Sequence, residues 1–244
     1  MSLADRRLRM FAGPNGSGKS TVKSVINPTI LGFYLNPDEI EKEVKERGYF
    51  DVRHLQIRTT RATIIDFFSK HPLLERTQES DFIDHLQFVQ NEFIDFSNIG
   101  FNSYLSAILT DFLRYKLLEE GKSFTFETVM SSPDKIEFLK TARQVGFRNY
   151  LYFVATEDPS INIDRVKNRV RNGGHSVPEH KIVERYFRSL HLLFDAIKTT
   201  DRAYIFDNSG NTMLWIAEIS NGSQIELKTE AIPEWFVKSV LNKL

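Results

Sequence analysis

One stretch constrains this chain more than any other: Gly13-Pro14-Asn15-Gly16-Ser17-Gly18-Lys19-Ser20. It satisfies G-x-x-x-x-G-K-[ST] at every fixed position, the pattern of a phosphate-cradling P-loop. Its surroundings agree. Leu8-Arg9-Met10-Phe11-Ala12 is short and apolar and reads as a buried strand, and Lys19 to Ile26 reads as a helix. Glycines let backbone approach phosphate closely and turn successive N–H groups toward it, and the helix start adds a positive dipole end. The expected nucleotide-binding residues are Gly13, Asn15, Gly16, Ser17, Gly18, Lys19, Ser20 and Thr21. In such a loop the lysine reaches the β- and γ-phosphates, and the hydroxyl after it (here Ser20) holds Mg²⁺. A dinucleotide-binding reading of these glycines fails, because the G-x-G-x-x-G spacing is absent.

A strand–loop–helix opening of this kind belongs to an α/β domain, and the rest of the chain keeps the rhythm. Gly32 to Leu35 reads as a strand. Asn36 is a helix N-cap, with Pro37 at the first helical position and Gly48 at the far end. Strands are expected at 123–126, 150–155 and 203–206. Helices are expected at 133–145, 161–170 and 178–198. A hairpin around Asn221-Gly222 and a helix from Pro233 close the chain. Residues 49–100 differ in character. Leu55 to Ser69 looks helical, and Phe82, Leu86, Val89, Phe93 and Phe96 recur at helical spacing, so the segment reads as a strandless helical insertion whose Phe stripe is core. Another helix follows from Tyr104 to Glu120, stopped by Gly121. The expectation is a single P-loop NTPase-type domain over 1–244: a mostly parallel sheet with helices on both faces, the helical insertion at 49–100, and the C-terminal hairpin and helix.

Composition removes several alternatives. With 244 residues and 41% hydrophobic content a large core is available. No cysteine is present, which rules out disulfides and thiol zinc sites and fits a reducing, cytoplasmic setting. The formal net charge is +0, so nucleic acid is not an expected partner. No apolar run approaches the roughly 18 residues that span a bilayer, so no membrane role is expected.

The P-loop does not decide the reaction. No Asn-Lys-x-Asp base-reading signature is present, and no strand ends in the paired acids of a motor ATPase; Glu127 and Asp207 stand alone. A small-molecule kinase needs a carboxylate at the acceptor hydroxyl and arginines over the phosphates. Asp38 follows the second strand, where α/β sheets line their ligand crevice; it either takes the acceptor's proton or only stabilises its helix N-terminus. Glu127 follows the next strand and either serves Mg²⁺ or substrate or is a surface carboxylate. Arg165, Arg169 and Arg171 concentrate charge before Gly173-Gly174, either as a closing lid or as a solvated face. His175 reads as a hydrogen bonder that structures this loop.

Four stretches together resemble the zeta-toxin family of P-loop kinases: Ala12 to Thr21, Asn36-Pro37-Asp38, Phe126-Glu127-Thr128, and Arg171 to Pro178. The resemblance spans most of residues 5–48 and 101–210. It implies that Asp38 is the catalytic base, that Glu127 with Thr128 serves the substrate, and that Arg165 with Arg169 or Arg171 are the lid arginines. It further implies ATP and Mg²⁺, the sugar of UDP-N-acetylglucosamine as acceptor, and an antitoxin as protein partner. The 49–100 segment departs from the compact family core. The competing reading is a nucleotide-dependent switch that hydrolyses slowly and acts through a partner, for which the cradle alone suffices.

Overall fold

The computed structural model describes residues 6–77, 82–174 and 176–244. Its main sheet has seven strands, in the order β10-β9-β8-β7-β1-β6-β2. These are β1 (Arg7–Ala12), β2 (Phe33–Leu35), β6 (Phe124–Thr128), β7 (Arg148–Ala155), β8 (Arg202–Asp207), β9 (Leu214–Ser220) and β10 (Gln224–Leu227). The β1–β7, β7–β8 and β2–β6 pairs are parallel, and β9 and β10 add the antiparallel hairpin. Asn221 and Gly222 both take positive φ in its turn, as their residue types favour.

The chain divides into two compact units, one of residues 6–32 with 127–244 and one of Phe33–Phe126. In the first, alternate residues of β1, β7 and β8 (Leu8, Met10, Leu151, Phe153, Ala203 and Ile205) are fully buried. Helices α6 (Asp134–Gln144), α8 (Glu179–Lys198) and α9 (Glu234–Ser239) belong to this unit. Leu139, Leu193 and Phe236 are their buried contributions. Helix α1 (Lys19–Val25) leaves the P-loop, and α7 (Pro159–Arg171) leaves β7. Asp158 caps α7 by accepting from the Ser160 N–H at 2.7 Å, with Pro159 at the first helical position.

The second unit holds α2 (Pro37–Arg47), α3 (Arg61–Ser69), the short α4 (Phe82–His85) and α5 (Ser103–Glu119). Asn36 caps α2 as its residue type implies, accepting from the Asp38 N–H at 2.9 Å, and Gly48 ends the helix at φ 82°. The strandless reading of 49–100 is corrected here. A three-stranded antiparallel sheet, β3-β5-β4, is built from Tyr49–Asp51, Phe93–Asp95 and Gln87–Val89. Between β4 and β5, Gln90 and Asn91 both take left-handed φ, 54° and 57°, and the Glu92 N–H donates to the Val89 carbonyl at 3.0 Å. Those φ values and that hydrogen bond make a type I′-like turn, inside a three-residue loop set by the Val89–Phe93 pairing. The helical spacing of Val89, Phe93 and Phe96 therefore arises across a turn and along a strand. The expected helix at 55–69 is also shorter, because Gln56 takes left-handed φ and Thr60 starts α3 by accepting from Thr63 N–H. The stripe is core in part: Phe82, Leu86 and Phe96 are buried, Phe93 is half-buried and Val89 is exposed, and Phe82 stacks on the buried Phe68 at 5.0 Å.

Candidate functional site

The P-loop runs from the end of β1 into α1, and its carbonyls are engaged from several directions. Lys19 Nζ donates to the carbonyls of Gly13 at 2.9 Å and Pro14 at 3.2 Å. Asn162, in the first turns of α7, donates from Nδ2 to the Asn15 carbonyl at 2.6 Å. Asn208, just past β8, donates from Nδ2 to the Ser17 carbonyl at 2.8 Å. The Gly18 carbonyl accepts the Thr21 N–H at 3.0 Å. A loop whose carbonyl oxygens are tied off in this way presents fewer negative dipole ends to an anion. Ser20 and Thr21 are exposed on α1. Ser17 is fully buried, and its hydroxyl has no hydrogen-bond partner among the described residues.

Asn162 and Asn208 were not singled out from the sequence, nor was the buried network behind them. Thr156 Oγ lies within hydrogen-bond distance of Asn162 Oδ1. The Tyr186 hydroxyl, on α8, donates to the Thr156 carbonyl at 2.6 Å. Burial, reinforced by Glu157, Asp158 and Asp207, holds that hydroxyl well above the usual tyrosine range. Asp207 itself, at the end of β8, is structural: it accepts from Trp235 Nε1 at 2.8 Å and from the Ser209 N–H and hydroxyl, both at 2.9 Å. The signal that was available is positional, since Asn208 follows a strand end in a sheet that carries a P-loop.

Helix phase sorts the arginines of α7. At about 100° per residue, Arg169 lies roughly 20° and Arg165 roughly 60° around the axis from Asn162, whereas Arg171 lies about 180° away. Arg165 and Arg169 are half-buried on the face that meets the P-loop. Arg165 Nη1 is buried without a hydrogen-bond partner among the described residues. Arg171 is exposed, donates to Asn168 Oδ1 at 3.3 Å, and borders a cavity of about 370 Å³ with Val166, Val170, Val177 and Ile182. Gly173, at φ 83°, ends the helix, and the Gly174 N–H donates to the Arg169 carbonyl at 2.9 Å. His175 lies outside the described residues.

Glu127 and Thr128 are the last two residues of β6, half-buried; the strand runs through Glu127 rather than stopping before it. The Thr128 hydroxyl oxygen accepts from the Met130 N–H at 3.0 Å, and Met130 is buried at φ 53°. A bulky side chain in the left-handed region is a local strain that the surrounding packing must hold. Asp38 belongs to the second unit, as the second residue of α2, and is exposed.

Residues 102–220 match the family model described as Zeta toxin. Over that stretch the chain is similar to the zeta-toxin family. The matched span includes Glu127, Asn162, Arg165 and Asn208 and starts after the P-loop and Asp38. The solved structure of AvrRxo1-ORF1:-ORF2 with ATP superposes at a TM-score of 0.54 and 13% identity, over 93% of this chain and 64% of that one. The same complex with sulphate ions gives 0.54 at 11% identity, over 94% and 65%. These likenesses bear on the fold alone. An uncharacterized protein of Haemophilus influenzae is 35% identical over 69 residues, 28% of this chain. The chain spans about half, 49%, of that curated relative. Among the described residues no helix is long and apolar enough to cross a membrane.

Proposed function

We propose that this zeta-toxin-like chain belongs to a kinase that uses ATP and Mg²⁺ to phosphorylate a hydroxyl on a small molecule, a UDP-amino-sugar by family resemblance. The observation that carries the reading is the P-loop itself, its carbonyls tied off and its back docked on the helix that bears Arg165 and Arg169. Buried polar atoms seek partners, and the buried Ser17 hydroxyl and Arg165 Nη1 are two donors that an anion would satisfy. In this reading Lys19 meets the β- and γ-phosphates, and the Ser20 hydroxyl holds Mg²⁺, which supplies neutralisation of phosphate charge when bound. Glu127 and Thr128 orient the acceptor. Arg165 and Arg169 stabilise the transferring group; from its helical position Arg171 does not. Asp38 is the general base. An antitoxin protein is the proposed partner.

The test is Asp38→Asn, which keeps size and drops basicity. ATP affinity should stay near wild type while transfer to the acceptor falls by about 10²- to 10⁴-fold. A screen of UDP-sugars and other hydroxyl compounds, with both proteins side by side, decides it. If the wild type phosphorylates no acceptor, or the variant keeps the wild-type rate, the nucleotide-dependent switch becomes the better account.

A further inference from the structure

Peptide geometry ties the back of the P-loop to its front. In a trans peptide the carbonyl of one residue and the N–H of the next point in opposite directions. A donor that pins a loop carbonyl from outside therefore turns the following N–H the other way. Asn162 pins the carbonyl of Asn15 and Asn208 that of Ser17, so the N–H groups they set belong to Gly16 and Gly18. These two residues take left-handed φ, 76° and 98°. Neither has room for a side chain: a Cβ on Gly16 would lie 2.6 Å from the Asn162 carbonyl oxygen, and one on Gly18 2.1 Å from Asn208 Nδ2. The close fit and the hydrogen bond thus fall on the same two peptides.

Resting on the triphosphate reading of this loop, we infer that Asn162 and Asn208 are positioning residues that aim the Gly16 and Gly18 N–H groups at the phosphates. Neither asparagine touches phosphate. The orientation of each amide is fixed by its partner, because a backbone carbonyl only accepts and so takes the NH₂ end. Asn162 is fully buried, and its Oδ1 is already engaged with Thr156, so it cannot turn away. It also sits on α7, on the face shared with Arg165 and Arg169. One side chain therefore sets both the loop and the azimuth of the arginine helix. Asn208 acts from the loop just past β8 and is itself half-buried.

The experiment compares Asn162→Asp, Asn208→Asp and Asn208→Ala with wild type and with Lys19→Ala. ATP–Mg²⁺ and AMP affinities are measured by calorimetry, and folding by circular dichroism. Asn→Asp keeps the shape but sets an acceptor against the carbonyl. Each folded variant should lose about 10- to 100-fold in ATP affinity, the scale of a lost hydrogen bond to a charged group. AMP affinity should move little, so the ATP-to-AMP ratio collapses. A merely structural role would lower both together, and that result overturns the inference. So does an Asn208→Ala protein, folded, that binds ATP as wild type does; this half-buried variant decides the matter if Asn162→Asp does not fold. A wild type that binds no triphosphate, indistinguishable from Lys19→Ala, overturns the site reading and the inference with it.

Discussion

Lys19 and Asn162 stand at opposite ends of what a residue discloses in sequence. The lysine sits in a fixed motif, so its partner chemistry follows from spacing alone. Asn162 is an ordinary asparagine in a helix, and only the fold brings it to the Asn15 carbonyl. The difference is physical: local backbone geometry is written in contiguous residues, whereas a side chain that acts from outside depends on the path of the whole sheet. Lys19 bends back onto the Gly13 and Pro14 carbonyls, contacts that a triphosphate would have to replace. Removing its charge should therefore leave the fold standing and take away the ligand. Lys19→Ala is expected to abolish ATP–Mg²⁺ binding with little change in melting temperature; unchanged affinity by calorimetry would sink the nucleotide site.

Helix α7 shows the same division among elements. Its presence and its end before the double glycine were legible, but the expected start at Ile161 missed the Asp158 cap and the first turn at Pro159. Which arginines it turns toward the loop was not legible, since charge density along a sequence carries no azimuth. Arg165→Ala should lower phosphoryl transfer by about 10²- to 10³-fold, the usual cost of one preorganised donor, while Arg171→Ala stays near the wild-type rate. Equal losses at both positions would contradict the phase argument. Hydrogen exchange across α7 should also slow on adding ATP–Mg²⁺; no change at saturation would favour a plain solvated helix. The β4–β5 hairpin was misread for a related reason. Its large apolar residues fall at spacings that suit both a helix and a strand–turn–strand, and the left-handed pair Gln90 and Asn91 carries no glycine to betray the turn. Helix α8 offers a pH test. Burial raises the Tyr186 hydroxyl above its ordinary range, so the folded state holds a proton that the unfolded chain releases near pH 10. The resulting stability is complete below about pH 10 and declines as pH rises beyond it. Tyr186→Phe, which orphans the Thr156 carbonyl, should cost about 1–3 kcal/mol at pH 7 and flatten that alkaline decline. Denaturant titrations at pH 7 and above pH 10 would check both.

For the whole molecule, the α/β class and the order of strands and helices outside 49–100 followed from the alternation of apolar runs with punctuating Gly, Pro and Asn. The division into two units did not, because no change of composition marks residues 33 and 126. Charge is balanced, 32 basic against 32 acidic residues, and a molecule near zero net charge has little electrostatic repulsion to keep copies apart. Solubility should be lowest close to pH 7 and rise on either side; a flat profile in a precipitation assay would contradict this. The first unit is also discontinuous along the chain. Strand β1, with its buried Leu8, Met10 and Phe11, pairs with β7, Arg7 lying opposite Arg148. During synthesis at about 5–20 residues per second, the strand that leads into the P-loop therefore waits on the order of ten seconds for β6 and β7, its neighbours in the sheet, to be made. Nascent chains stalled before Phe124, with neither neighbour made, should expose β1 to protease, and the same chains extended past Ala155 should protect it.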